Sequence, residues 1–135
     1  MAYWLVKSEP EDYSWQDLLR ERRALWDGVR NAAARNNLAR MRVGDRVFFY
    51  HSGGPREIVG IAKVVRAALP DPADGRWLAV EIAPAKTLSR PVALSELRGD
   101  GRAARMVLLR QPRLSVQPVG VSHWRLVLER GEGTK

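Results

Sequence analysis

The stretch RVFFYHSGGPREIVGIAKVV, residues 46–65, decides the fold. RVFFYHS is aromatic and β-branched, and IVGIAKVV repeats that character after the turn-forming GGPRE. Two such runs around a glycine-rich break read as a β-hairpin. Gly60, inside the second run, predicts a bulge or the close approach of another group. Gly44-Asp45 reads as a turn leading into the hairpin.

Upstream, AYWLVK has the composition of a strand, and SEPEDYS interrupts it with a proline and three acids. Ser14 followed by Asp17 forms a capping-box pattern, predicting a short helix from Trp15 to about Arg22. A second helix is expected within WDGVRNAAARNN, residues 26–37, with Val29, Ala32, Ala33, Leu38 and Met41 facing the core. Downstream, PDPADG reads as a loop and RWLAVEIAPAKTL as a strand. On that strand Trp77, Ala79 and Glu81 share one face, and Leu78, Val80 and Ile82 the other. SELRGD reads as a helical turn ending at glycine, while residues 102–110 and LSVQPV fit more than one state. Ser122 is expected to cap a last helix reaching about Glu129, with residues 131–135 as a mobile tail. Short strands with helices at the ends and after the first strand give an α+β class. Residues 1–130 are expected to form a single domain around an antiparallel or mixed sheet, small, curled and barrel-like.

At 135 residues the chain suits one domain with one core. No apolar run approaches the roughly 20 residues that span a bilayer, and the N-terminus lacks a charged leader followed by an apolar stretch. No membrane role and a cytoplasmic location are the expectations. The absence of cysteine excludes disulfides, thiol nucleophiles and cysteine-bound zinc. The two histidines, His51 and His123, lack metal spacing, and acidic clusters are sparse, so no metal or other cofactor is expected. The net charge of +8 draws polyanions, of which nucleic acid is the obvious one. Its arginines are spread through the chain, so a basic face has to be assembled by folding; a GC-rich genome and solubility explain the same composition.

Several segments set one or two polar groups among bulky apolar neighbours, which is what a pocket for a flat heterocycle needs. Trp4, Trp26, Phe49 and Tyr50 are candidate walls. Asn31 offers a paired donor and acceptor to a base edge. Arg30 and Lys7 can meet a phosphate or carbonyl oxygen. The same residues have plainer uses: Trp4 and Phe49 as core, Asn31 or Asn36 as a cap, Arg35 as an ion-pair partner, Ser52 as a turn residue.

In order, WLVKSEP, WDGVRN, ARNN, VGDRVFFYHS, VGIAKVV, RPVALSEL and RLSVQPV, with Trp124 near the end, resemble the EVE domain family across residues 3–128. The resemblance implies a PUA-like fold, a small mixed β-barrel with peripheral helices. It also implies kinship with domains that bind modified bases in RNA or DNA, modified cytosines in DNA included. Carried onto this chain, the implied ligand-binding set is Trp4, Lys7, Ser8, Trp26, Val29, Arg30, Asn31, Phe49, Tyr50, His51, Ser52, Ser115 and Gln117. Where many relatives have a tyrosine and a glutamine after GVRN, this chain has Ala32 and Ala33.

The leading expectation is therefore a non-catalytic, monomeric reader of a modified base in nucleic acid. The alternatives are a hydrolase acting on a modified nucleotide, with His51 as general base and Ser8, Ser52 or Ser115 as nucleophile, and a sensor of free nucleosides. Against the hydrolase, no serine sits in a G-x-S-x-G elbow.

Overall fold

A computed structural model describes residues 1–133. Six strands, β1 (Tyr3–Ser8), β2 (Ala24–Trp26), β3 (Arg46–His51), β4 (Glu57–Asp71), β5 (Asp74–Ala93) and β6 (Val116–Pro118), form one mixed sheet in the order β2-β5-β4-β3-β1-β6. Strands β3 and β4 are the expected hairpin, and β5 continues it. Strand β1 runs parallel to β3, with Lys7 opposite Tyr50 and Ser8 opposite His51. Two three-residue strands finish the sheet: β2 on the edge of β5 and β6 on the edge of β1. Strands β2 and β6 are the two ends of the sheet, so it curls without closing, and the expected barrel is corrected to an open sheet.

Helix α1 (Trp15–Glu21) starts at the Ser14–Asp17 capping box, both of whose hydrogen bonds are made. Helix α2 (Ala32–Arg40) packs against β4, β5 and β6 inside the curl. Two apolar clusters result, and strand alternation sorts residues between them. Trp4, Val6, Val47 and Phe49 join Leu38 of α2 and Trp15 of α1 in one. Leu5, Phe48 and Tyr50 join Trp124 and Val127 in the other, under helix α5 (Val121–Glu132). Leu78, Val80 and Ile82 enter the first cluster together, as their alternation predicts.

Gly60 meets both expectations: the pairing shifts register around it, and a Cβ there would lie 2.4 Å from the Trp15 ring. The indole of Trp15 thus lies directly on the backbone of β4, its Nε1 donating to Thr87 Oγ1 at 2.9 Å.

Several expectations are corrected. In α2 the buried residues are Ala34, Asn37 and Leu38; Ala32 and Ala33 are exposed. The PDPADG loop is a tight link, because β4 runs through Pro70 to Asp71 and β5 resumes at Asp74. Gly120, not Ser122, precedes α5, and the helix runs on to Glu132 because Gly131 fits against Leu88 and Val92, where a Cβ would lie 3.1 Å from Leu88. The expected mobile tail therefore begins inside this helix, and its last two residues, Thr134 and Lys135, lie outside the described residues. SELRGD is helix α3 (Leu94–Arg98), and the ambiguous segment 102–110 holds a tight helical turn (Gly101–Ala103) and helix α4 (Val107–Arg110). No helix among the described residues is long and apolar enough to cross a membrane.

Candidate functional site

The end of β1, strand β2 and the residue before β6 border a cavity of about 370 Å³. Ligand pockets start at roughly 300 Å³, so a single nucleobase-sized ring fits this volume. Lys7 and Ser8 come from the end of β1, Ser115 from the residue before β6, and Trp26 through Arg30 from the end of β2 and the turn beyond it.

Backbone geometry holds these groups in place. Lys7 N donates to Ser115 O at 3.0 Å, which sets the two residues side by side. Ser8 Oγ donates to the Tyr13 carbonyl at 2.7 Å and draws the 9–13 turn around the mouth. The ring of Tyr13 lines the cavity, and its hydroxyl donates to Glu21 Oε1 at 2.7 Å. Burial and Glu21 push that phenol well above its ordinary range, so it stays protonated.

Trp26 is half-buried at the last position of β2. Its ring meets Tyr13 at 6.2 Å and 77° and Phe49 at 5.5 Å and 80°. Both contacts are edge-on, and among the described residues no ring stacks parallel on this indole. Phe49 is fully buried behind it and braced edge-on by Trp15 at 5.4 Å.

Beyond Trp26 the chain turns at Gly28, whose φ of 76° lies in the left-handed region that favours glycine. Asp71, at the end of β4, anchors the turn. Its Oδ2 accepts from Gly28 N at 2.9 Å and from an Arg30 guanidinium nitrogen at 3.0 Å, and its Oδ1 from Ala73 N at 2.8 Å. The Arg30 guanidinium and these amides hold the Asp71 carboxyl down to about 2, so it is ionised at any neutral pH. Arg30 also lies 5.8 Å from the centre of the Trp77 ring, and Arg35 lies 5.4 Å from it. Lys7 Nζ donates to Pro112 O at 2.6 Å, and burial lowers its pKa.

Of the residues singled out in the sequence, Lys7, Ser8, Trp26, Val29, Arg30 and Ser115 line this cavity. The others lie elsewhere. Trp4 is buried in the first core cluster, where its Nε1 donates to Asp45 Oδ2 at 2.9 Å and ties β1 to the turn before β3. Asn31 caps α2, its Oδ1 accepting from Ala34 N at 2.9 Å. Phe49 supports Trp26 without lining the cavity. His51 Nε2 accepts from Trp15 N at 3.1 Å, and burial lowers its pKa. Gln117 is fully buried, with Nε2 donating to Leu114 O at 2.8 Å and Oε1 without a hydrogen-bond partner among the described residues. Tyr50 and Ser52 line a second, smaller cavity, of which Lys7 forms a shared wall. Ala32 and Ala33 line neither of the two.

Tyr13, Ala24, Leu25, Asp27 and Gly28 of the lining, and Asp71 behind it, were not singled out in the sequence. Gly28 carried a signal, as a glycine straight after an aspartate and before a polar helix start. Asp71 carried none: one acid in a proline-rich loop does not reveal that it reaches 43 residues back to Gly28.

Both the sequence and the fold match known proteins. Residues 2–130 match the EVE domain. The chain is 33% identical to mouse thymocyte nuclear protein 1, covering 96% of this chain and 74% of that one. An NMR structure of a Rhodopseudomonas palustris protein is 45% identical and superposes with a TM-score of 0.93, covering 97% of this chain and 93% of that one. The human THYN1 protein, crystallised in complex with 5-methylcytosine-containing DNA, is 31% identical with a TM-score of 0.92, covering 98% of each chain. An ASCH protein from Zymomonas mobilis, at 10% identity and a TM-score of 0.63, shares the fold alone.

Proposed function

The chain belongs to the EVE domain family, and on that premise we propose that it is a non-catalytic reader of a modified base in nucleic acid, with a modified cytosine in DNA as its first candidate ligand. The observation that carries this reading is Trp26, an indole without a stacking partner in the wall of a base-sized cavity. A base leaving its strand costs a few kcal/mol in lost stacking and pairing. Stacking on Trp26 offsets about 1–3 kcal/mol of it. The rest has to come from the base edge. Asp27 places a carboxylate in the lining, the group that accepts from a cytosine amino nitrogen. Val29 offers an apolar surface to a 5-methyl group, and the Ser115 hydroxyl is available to donate to the ring carbonyl or nitrogen. The complex of human THYN1 with 5-methylcytosine DNA supports the choice of base.

Two observations support a binder over a hydrolase. His51 Nε2, the nitrogen a general base would use, is engaged by the Trp15 amide. Ser8 Oγ donates to a carbonyl and not to an imidazole. Neither forms half of a nucleophile–base pair.

Titration of fluorescein-labelled oligonucleotides that differ only in carrying cytosine or 5-methylcytosine, as DNA and as RNA, tests the proposal. The modified DNA is expected to bind at least about tenfold tighter, a difference of roughly 1.4 kcal/mol. Equal affinity for modified and unmodified strands across the common base modifications would refute it.

A further inference from the structure

The second cavity, of about 200 Å³, lies across Lys7 from the first. Its lining holds three cations, Lys7, Arg56 and Arg98, and no carboxylate. Tyr50 is its inner wall, with the residue 3% exposed. Among the described residues the Tyr50 hydroxyl has no hydrogen-bond partner, and neither arginine has an ion-pair partner. Glu96, on the same helix as Arg98, is bound by Arg90 and Arg130, and Asp100 by Arg102 and Arg130. The acids near Arg98 in sequence are thus taken by other arginines. Tyr50, Arg56 and Arg98 line the same space. Lys7 Nζ lies 5.8 Å from the Tyr50 ring centre and reaches the same space.

A hollow lined by two unpaired guanidinium groups, an ammonium and a free phenol is complementary to a tetrahedral oxyanion: arginine binds phosphate in bidentate fashion, and the phenol donates one further hydrogen bond. We propose that this cavity is a phosphate subsite, which takes a backbone phosphate of the strand whose base occupies the Trp26 cavity. The assignment rests on the base-reading proposal for its neighbour but not for its own chemistry. Lys7, as the wall common to both cavities, joins the two halves of one nucleotide-binding surface. A reader that grips the phosphate beside the extruded base holds the strand in register, a task that phosphate contacts perform without reading sequence.

The test compares Arg56→Gln, Arg98→Gln and the double variant with Arg125→Gln, a charge-matched control on α5 away from both cavities. Anisotropy titrations use a 5-methylcytosine oligonucleotide at several salt concentrations, with the free nucleoside in parallel. Each subsite variant is expected to lose about three- to tenfold in oligonucleotide affinity at low salt. The slope of log K against log salt should shrink by about 0.7–0.9 for the lost phosphate contact. Nucleoside affinity should not change, and the Arg125 variant should stay within about twofold of the wild type. The proposal is overturned if the double variant keeps the wild-type affinity and slope, or if Arg125→Gln falls as far. Inorganic phosphate forms the other arm: displacement of the oligonucleotide by phosphate well below the concentration at which chloride displaces it would mark a free-phosphate site and overturn the backbone assignment. If the wild type does not discriminate methylated from unmethylated strands, the base reading fails. A selective loss in the arginine variants would still uphold the phosphate subsite.

Discussion

Two indoles in this molecule start from similar surroundings and end in opposite conditions. Trp124, on α5, is 5% exposed and lies between Tyr3 at 4.4 Å and 18° and Phe48 at 3.7 Å and 15°. Both contacts are parallel stacks, and the cluster around them is closed. Trp26 has two aromatic neighbours as well, but meets both edge-on and stays half-buried. One tryptophan has spent its ring faces on folding; the other keeps stacking capacity for something outside the chain. A large aromatic in a strand-rich sequence therefore says little about function until the orientation of its neighbours is known.

Substitution separates the two most sharply at Trp124. Trp124→Ala should cost about 3–5 kcal/mol, the usual loss for a large buried aromatic. That is a large part of a domain's total stability of roughly 5–15 kcal/mol, and the urea midpoint should fall accordingly. Trp26→Ala should leave the midpoint far closer to wild type, yet weaken binding of the modified oligonucleotide by about 1–3 kcal/mol, the worth of one stacked base. If Trp26→Ala unfolds the protein as readily as Trp124→Ala, the contrast between a closed stack and an open one is false.

How much of this was legible beforehand follows the range of the interactions. The β3–β4 hairpin, the Ser14–Asp17 cap and the close approach at Gly60 are encoded within a few residues, and sequence reading finds them. The three-residue strands β2 and β6 are not: each is held by a long neighbour, β5 or β1, and neither has an alternating pattern of its own. The open sheet was misjudged for the same reason, since closure depends on whether those two short edges meet. Trp4 and Trp26 look alike in the sequence, each beside a leucine in a short apolar run. What distinguishes them is position: Trp4 lies on an interior strand flanked by β3 and β6, Trp26 at the end of an edge strand. Lys7, Ser8 and Arg30 were found because their motifs are local, while Asp71 acts across 41 residues on Arg30 and leaves no local trace.

Asn31 sharpens the comparison at smaller cost. From sequence its amide is a natural base reader, but the structure gives its oxygen to the start of α2. Asn31→Ala should lower stability by about 1 kcal/mol, as loss of an N-cap does. It should leave the preference for methylated over unmethylated strands intact. A variant of normal stability that no longer discriminates between them would return Asn31 to the ligand site and move the recognition surface from Trp26 toward α2.

The smallest expected effect is a pH dependence at His51, beneath the Trp26 side of the sheet. Its ring touches Phe49 edge-on at 5.7 Å, and its Nε2 accepts from the first amide of α1. A protonated ring has no lone pair for that amide and sets a positive charge at a helix N-terminus, where the backbone dipole already points its positive end. Burial depresses the pKa from its ordinary 6.5. The unfolded chain therefore binds this proton at a higher pH than the folded one, and stability rises with pH. The contribution is fully present above the unfolded value and is lost as pH falls from there through the lowered folded value. Asp71 and Asp45 do not confuse this window, because both carboxyls are held below the ordinary carboxylate range. Urea midpoints between neutral pH and pH 5 should thus fall more for the wild type than for His51→Gln, whose amide oxygen can accept from Trp15 without titrating. Equal falls in the two proteins would mean that the Trp15 amide does not depend on the neutral imidazole. The brace running from His51 through Phe49 to Trp26 would then be set by packing alone.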